Sequence, residues 1–243
     1  MGWPTGSPAG TRMKDGGSRI TASGRLRRKV AVISPAFGAA CARVFLHPRI
    51  RDLLPRYLLD VHCVIRSTVP LMEAVAAWGE ELGPSDPVAA GVASYLRQHT
   101  EEERFHDEWL LEDLALMGID RRAVLGRVPS PTLAGVAGSQ YFWGLHFHPV
   151  SLLGYFAFAE AFPPSAELIG DLIERTGYPS EAFRTFVEHG DLDPGHREEI
   201  DRIIDTLPLL PEHEAMLGLS ALSTGQLLTQ SMHETIEEFE ASG

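Results

Sequence analysis

The sequence contains little cysteine, fewer basic than acidic residues and no long apolar run. Cys41 and Cys63 are its only two cysteines among 243 residues, and its formal net charge is −12. Two cysteines form no disulfide framework, which favours a reducing cytoplasm. The acidic balance argues against binding to nucleic acid or anionic membranes. No segment approaches the ~18–20 apolar residues of a membrane span. We therefore expect a cytoplasmic protein with neither nucleic acid nor membrane as a partner.

The N-terminal residues differ in composition from the rest of the chain. Residues 1–35 are rich in Gly, Ser, Pro and basic side chains. Such composition predicts a disordered basic tail over 1–35, followed by a folded domain over 36–243. The stretch LRRKVAVISPAFGAACA superficially resembles a twin-arginine export signal. Because Pro35 interrupts its apolar run, we favour the cytoplasm.

Strand patterns are scarce, whereas helical periodicity recurs along the chain. Apolar residues follow a three-to-four spacing through 49–82, and a second helix is predicted over 88–118. Hydrophobic residues make up 44% of the sequence and the mean hydropathy is −0.05, as expected for a globular domain with a sizeable core. We predict an all-α fold, a single helical bundle of about seven to eight helices.

Three segments supply carboxylates or imidazoles that could bind a metal together. Glu103 and His106 are three residues apart in HTEEERFHDEW, and Glu160 ends an otherwise apolar helix. Inward-facing Glu-x-x-His pairs with further carboxylates are what di-iron helical bundles use, and this hard donor set favours iron or manganese over structural zinc. For the first pair the alternative is a solvated acidic face, and for Glu160 it is an exposed helix end.

The segment HGDLDPGH supplies the third set. His189, Asp193 and His196 follow at i, i+4 and i+7, which is one row of a helix. Pro194 and Gly195 interrupt that row, and a helix resists both. Pro194 fits the first turn of a new helix with Asp193 at its cap, so we expect the row to be continuous only when a metal is bound and residues 189–197 to be unwound without it.

The helix predicted over 49–82 carries one polar row, at His62, Arg66 and Glu73. If this helix is central, the row lines a cavity. Arg66 is suited to bidentate binding of a substrate carboxylate, with His62 beside it. The alternatives are a structural Arg–Glu pair and an exposed face.

Four segments occur in an order that resembles the haem-oxygenase-like di-iron oxidases and oxygenases: PLME, EEERFHDEWLLEDL, HPVSLLGYFAFAE and HGDLDPGH. The resemblance covers roughly residues 45–235. It implies a haem-oxygenase-like bundle that holds two Fe(2+) per chain and uses O2 as co-substrate. It further implies six core iron ligands and one supplementary carboxylate, Glu103. The six are Glu73, His106, Glu160, His189, Asp193 and His196.

The leading hypothesis is thus a non-haem di-iron, O2-dependent enzyme of specialised metabolism. Its substrate would be a small amino acid or carboxylic acid, and the reaction desaturation, oxidative C–C cleavage or N-oxygenation. An external electron donor and a homodimer are compatible with this hypothesis. One alternative is a metal-free member of the fold, acting through Cys63 as a thiaminase-like hydrolase or binding a ligand. Another is a helical partner-binding protein with a decayed site.

Overall fold

Helices make up the regular structure of residues 20–242, which are the residues that this computed structural model describes. Within this range there are ten α-helices, one 3-10 helix and no strand, so the all-α prediction is confirmed. The α-helices are α1 (Ala22–Phe45), α2 (Ile50–Leu82), α3 (Pro87–Glu103), α4 (His106–Leu116), α5 (Arg121–Leu125), α6 (Pro131–His146), α7 (Ser151–Ala159), α8 (Ala166–Thr176), α9 (Arg184–Thr206) and α10 (Pro211–Ala241). The 3-10 helix, Ser180–Phe183, leads directly into α9.

Helix α1 begins well inside the segment that was predicted to be a tail. Residues 1–19 lie outside the described residues, whereas residues 22–35 form the first half of α1. Arg27 pairs with Asp201 on α9 at 2.9 Å. The backbone N–H and the hydroxyl of Ser23 both donate to Asp205, at 2.8 and 2.7 Å. The polar composition that suggested disorder thus finds partners on α9, which only the folded chain brings close.

The predicted helix over 88–118 is broken in the middle. Helix α3 ends at Glu103 and α4 begins at His106, so Glu103 and His106 lie on either side of a two-residue turn. Phe105 in this turn has φ +71°, the left-handed region that non-glycine residues rarely adopt. The sequence has no Gly or Pro at this position that would predict the break.

Helix α9 runs without interruption through Pro194 and Gly195. The new helix start expected at Pro194, with Asp193 as its cap, is not found. An internal proline costs a helix about 3 kcal/mol. Burial of Ile200 and Ile204 on the following turns ties α9 to the main core, and this packing offsets the cost. The row of His189, Asp193 and His196 therefore lies on one continuous helix.

The two longest helices, α2 and α10, frame the bundle. Helix α2 packs against α3, α6 and α4, and α10 packs against α1, α7 and α6. The main core includes Met72, Leu96, Phe156 and Phe158, all essentially inaccessible to solvent. In residues 20–242 no helix is both long and apolar enough to cross a membrane.

Candidate metal centre

Glu103, His106 and His189 form the first group of the centre. One ligand atom from each of the three lies within 4.8 Å of the other two. His106 Nδ1 is 3.1 Å from Glu103 Oε2, and the His106 and His189 rings are 4.9 Å apart. Glu103 ends α3 and His106 begins α4, so the turn between the two helices determines how these two side chains are placed relative to each other.

The tautomer of His189 follows from its hydrogen bond. Its Nδ1 lies 2.8 Å from the carbonyl oxygen of Thr185, one turn earlier on α9. A carbonyl only accepts, so Nδ1 carries the proton and Nε2 keeps its lone pair. Metal-binding histidines are commonly fixed by such a bond. Burial lowers the pKa of His189, which favours the neutral ring that a metal requires.

His99, Glu102 and His196 form the second group, with ligand atoms again within 4.8 Å of one another. The fully buried His99 ring lies between two carboxylates, its Nδ1 3.3 Å from Glu102 Oε2 and its Nε2 3.0 Å from Glu160 Oε1. His196 Nε2 is 3.7 Å from Glu102 Oε2. Asp193, one turn before His196, is also buried.

His99 and Glu102 were not among the ligands predicted from the sequence. His99 stands four residues before Glu103 and three before Glu102, and such spacings put side chains on one helix face. That spacing was a usable signal, but on its own it does not distinguish a metal site from a surface ion pair.

Several buried polar atoms of this cluster have no hydrogen-bond partner among the described residues. They are Glu160 Oε2, Asp193 Oδ1, His106 Nδ1 and His196 Nδ1. Buried polar groups are normally paired, and a set left unpaired on neighbouring residues needs a ligand or ion to explain it. Although His106 Nδ1 is near Glu103, the contact lacks hydrogen-bond geometry. These oxygen and nitrogen donors fit a cation such as iron.

The charges of the cluster shift the pKa values of its members. Burial, with the charges of Glu160 and Glu103, raises the pKa of Asp193 to about 8. Burial would lower the pKa of His99, but its hydrogen bond to Glu160 and that carboxylate's charge prevail and raise it to about 9. Burial also raises the pKa of Glu160. Several carboxyl groups are thus buried close together, and a bound cation would offset the repulsion between their charged forms.

Glu73, predicted as an iron ligand, does not lie with this cluster. Its side chain is 45% exposed, and its Oε1 lies 3.2 Å from Arg104 at the surface. On α2 the cavity-facing residues are apolar or hydroxylic, among them Val64 and Thr68. At 100° per residue, Glu73 points about 140° away from Thr68 and about 180° away from Val64. The six-ligand set implied by the resemblance is therefore not assembled in full.

The predicted substrate-binding residues, Arg66 and His62, lie on the same row of α2 as Glu73, and this row does not line the cavity. Arg66 is exposed and donates to the carbonyl oxygen of Leu125 at 3.2 Å. His62 is fully buried, with neither ring nitrogen paired among the described residues. Neither residue lines the cavity beside the cluster. Helix α2 is central, as expected, but it presents its apolar face to the cavity.

A cavity of about 430 Å³ borders the cluster, and Glu103, Glu160, His189 and Asp193 contribute to its wall. Most of the remaining wall is apolar and comes from α1, α2, α7 and α10. Small-molecule sites have volumes of roughly 300–1,000 Å³ and mostly apolar walls. The cavity therefore has the size and position of a substrate site.

Neither cysteine has the environment of a nucleophile. Cys63 does not line the cavity, and burial raises the pKa of its thiol. Cys41 does line it, but burial raises its thiol pKa to about 11. A thiol of this kind stays protonated at neutral pH, and the thiolate is the reactive form.

A third group with metal-ligand spacing, Asp86, His148 and His213, serves the fold instead. The Nδ1 atoms of His148 and His213 accept backbone N–H bonds from Val150 and Leu210, at 3.0 and 3.2 Å. The Nε2 atom of each neutral ring therefore carries the proton and offers a metal no lone pair. His148 Nε2 instead lies 3.0 Å from Asp86, which caps α3.

Comparison with solved structures agrees with this architecture. A domain of unknown function with a heme oxygenase-like fold from Shewanella denitrificans has a TM-score of 0.69 and 20% sequence identity, and the match covers 89% of this chain and 92% of that chain. A TenA homolog from Pseudomonas syringae pv. tomato has a TM-score of 0.64 and 14% identity, covering 96% and 100% respectively. At these identities the likeness concerns the fold alone, and it confirms the haem-oxygenase-like bundle.

Comparison of sequences identifies the family. No curated protein matches the chain significantly. A family model described as "Iron-containing redox enzyme" matches residues 58–222, which include all members of both groups of the cluster. The match spans well over half of the sequence. The chain therefore belongs to the family of iron-containing redox enzymes.

Proposed function

We propose that the protein is a non-haem di-iron, O2-dependent oxidase or oxygenase acting on a small organic substrate. The observation that carries the proposal is the cluster of buried, unpartnered donor atoms around two neighbouring groups, one at Glu103–His106–His189 and one at His99–Glu102–His196. Family membership supports iron as the metal. Two neighbouring sets of donors, Glu103–His106–His189 and Glu160–Asp193–His196, support two ions per chain.

Each of the two sets of donors would hold one iron. Glu103, His106 and His189 would hold one iron. His196 would hold the other, together with Glu160 and Asp193, whose buried oxygens lack partners. When bound, an iron pair supplies the electrons and open coordination positions with which O2 is activated.

The residues of the chain contribute positioning and exclusion of water. Because the Thr185 carbonyl fixes the Nδ1 proton of His189, its Nε2 is directed away from that bond and into the cluster. Glu160 is held through one oxygen by His99, which leaves the other free. Buried Tyr155 and Phe156 line the cavity beside the cluster and reduce the space there for water.

An amino-acid or carboxylic-acid substrate stays a prediction, and so do the external electron donor and the homodimer. The preference for an amino acid relied on Arg66 and His62, which do not line the cavity. The expected reactions, desaturation, C–C cleavage and N-oxygenation, all remain compatible with the cluster.

Anaerobic titration of the metal-free protein with Fe(II) tests the proposal. We expect about two irons per chain at saturation, and a transient visible absorption when O2 is then admitted. Uptake of one iron or none would contradict it. Zn(II), which has no redox chemistry but binds imidazole and carboxylate donors, serves as the control for binding without oxidation.

The alternative of a metal-free, cysteine-dependent enzyme shares the fold, and the likeness to a TenA homolog is compatible with it. The raised thiol pKa values of Cys41 and Cys63 argue against it. A cysteine-dependent enzyme would also leave the unpaired donors of the cluster unexplained.

A further inference from the structure

The cavity beside the metal cluster is elongated. Helix α1 lines it with Ser34, Phe37, Gly38, Cys41 and Phe45, spaced at i, i+3, i+4, i+7 and i+11. This is a single helix face, and at 1.5 Å per residue it extends for about 16 Å. The wall on this side is therefore about three helical turns long.

Helix α2 lines the cavity over the same length. Its contributions are Tyr57, Val61, Val64, Ile65 and Thr68, again a single face that spans eleven residues, or about 16 Å. A volume of about 430 Å³ drawn out between two such faces makes a narrow space rather than a round one. Its shape suits one extended chain.

The two ends of the cavity differ in character. Thr68 and Tyr155 lie at the end that holds Glu103 and Glu160. At the other end the ring of Phe45 contacts Tyr57 and Phe186 edge-on, with ring centroids 5.5 and 6.2 Å apart. One end thus holds the carboxylates of Glu103 and Glu160, whereas the other is aromatic and lies about one helical turn of α9 beyond His189.

The walls between these ends offer a substrate no positive charge. Among the described residues that line the cavity there is no Lys and no Arg. The hydroxyls of Ser34 and Thr68 donate to carbonyl oxygens one turn earlier in their own helices, at 2.8 and 3.2 Å. Away from Glu103, Glu160, His189 and Asp193, a small amino acid would have to bury its carboxylate and ammonium without charged partners, which is costly.

We infer that the cavity binds a linear apolar chain that carries one small polar head group at the cluster end. This inference deepens the proposed function, on which it rests for the role of the ligand as substrate. The chain would lie between the inner faces of α1 and α2 and end against Phe45 and Tyr57.

Gly38 provides a variant that changes the cavity without harming the fold. A Cβ atom at Gly38 would meet no atom within 4 Å, so a larger side chain fits there and extends into the cavity. Glycine inside a helix is unfavourable relative to leucine, so Gly38→Leu should fold at least as well as the natural chain. Gly170→Leu on α8 is the matched control, since Gly170 is also unobstructed but does not line the cavity.

The test measures competition of n-alkyl ligands, from butyl to dodecyl, with a polarity-sensitive fluorescent dye on the full chain. Alcohols, primary amines and carboxylic acids of each length identify the head group. We expect binding to tighten by about fourfold per methylene until the chain reaches the aromatic end. Gly38→Leu should weaken every ligand long enough to pass Gly38, by at least tenfold for the longest, whereas Gly170→Leu should leave them unchanged.

Two outcomes would overturn the inference. One is an affinity that does not depend on chain length, with short amino acids binding more tightly than any alkyl ligand. The other is unchanged binding of long ligands by Gly38→Leu. The measurements are made on iron-free protein and repeated with anaerobic Fe(II). A failure of iron uptake would contradict the proposed function. The binding of alkyl ligands to the iron-free chain would still test the inferred ligand class.

Discussion

His99 Nε2 lies 3.0 Å from Glu160 Oε1, while Oε2 of the same carboxylate has no partner among the described residues. The contact joins α3 to the end of α7 in a fully buried position. A carboxylate fixed through one oxygen presents the other in a defined direction. This pair of residues therefore orients one of the proposed metal ligands.

Replacing His99 with alanine should weaken the second metal position. Loss of a residue that orients a ligand commonly costs 10–100-fold in metal affinity. We expect His99→Ala to bind its second Fe(II) or Co(II) at least tenfold more weakly and to keep the first, as measured by anaerobic titration with the Co(II) visible spectrum. His99→Gln, which retains a donor, should recover part of the affinity. Equal loss of both ions in a well-folded variant would count against this role.

Glu73 and Glu103 should respond differently to the same substitution. Glu103 lies in the cluster, whereas Glu73 pairs with Arg104 at the surface. We expect Glu103→Gln to lose iron and Glu73→Gln to bind two irons per chain with ordinary affinity. An exposed ion pair is worth about 0–1 kcal/mol, so Glu73→Gln should barely change the melting temperature. Loss of iron from Glu73→Gln would restore its predicted role as a ligand.

The metal-free protein should lose stability as pH rises from 7 to 9. The pKa of Asp193 is raised from 3.8 to about 8, and that of His99 from 6.5 to about 9. In this window the folded chain binds more protons than the unfolded chain, so its stability falls with pH. His189 and Glu103, whose pKa values are lowered, act in the opposite sense but at lower pH.

Thermal unfolding across this pH range provides the measurement. Asp193→Asn should flatten the decline, because the residue no longer titrates. Added Mn(II) should stabilise the protein more at pH 8 than at pH 6, since metal and protons compete for the same atoms. A melting temperature of the metal-free chain that is flat or rises between pH 7 and 9 would contradict the assignment.

The Cys63→Ala variant separates the two enzyme hypotheses. Cys63 lies outside the cavity, with a raised thiol pKa. We expect iron stoichiometry and the response to O2 to match those of the natural protein. Retention of iron with loss of all activity would instead favour a cysteine-dependent reaction.

Gly154 marks the closest approach of α7 and α10. A Cβ atom there would collide with the carbonyl oxygen of Leu217 and lie 3.0 Å from the Cβ of Ser220. Overpacking of this kind typically costs 1–3 kcal/mol, so Gly154→Ala should lower the urea midpoint clearly. Gly170→Ala, where space is open, should raise stability by up to about 1 kcal/mol. Equal effects of the two substitutions would show that α7 and α10 are not in close contact.

Much of the candidate site could be predicted from the sequence, because the ability of a side chain to bind a metal depends on its residue type. The pairing of Glu103 with His106, the isolated Glu160 on an apolar helix, and the row from His189 to His196 all indicated a metal cluster. The structure brings these residues together. The helical class was equally clear, because apolar spacing depends only on local sequence.

The tertiary structure decided which face of each helix points inward. The row of His62, Arg66 and Glu73 is polar, but the rotation of α2 is set by packing of its apolar face, and that turns the row away from the cavity. Packing of Ile200 and Ile204 on the main core carries α9 through Pro194. Partners distant in sequence, such as Asp201 for Arg27, order α1, and the turn at Phe105 separates α3 from α4.

The sequence by itself determined the helical class and most of the donor set. Only the tertiary structure decided that His99 belongs to the centre, that Glu73 does not lie with it, and that the cavity beside it is apolar. The physical reason is that residue chemistry and helical periodicity are local, whereas helix rotation, breaks and buried pairings minimise the free energy of the whole chain.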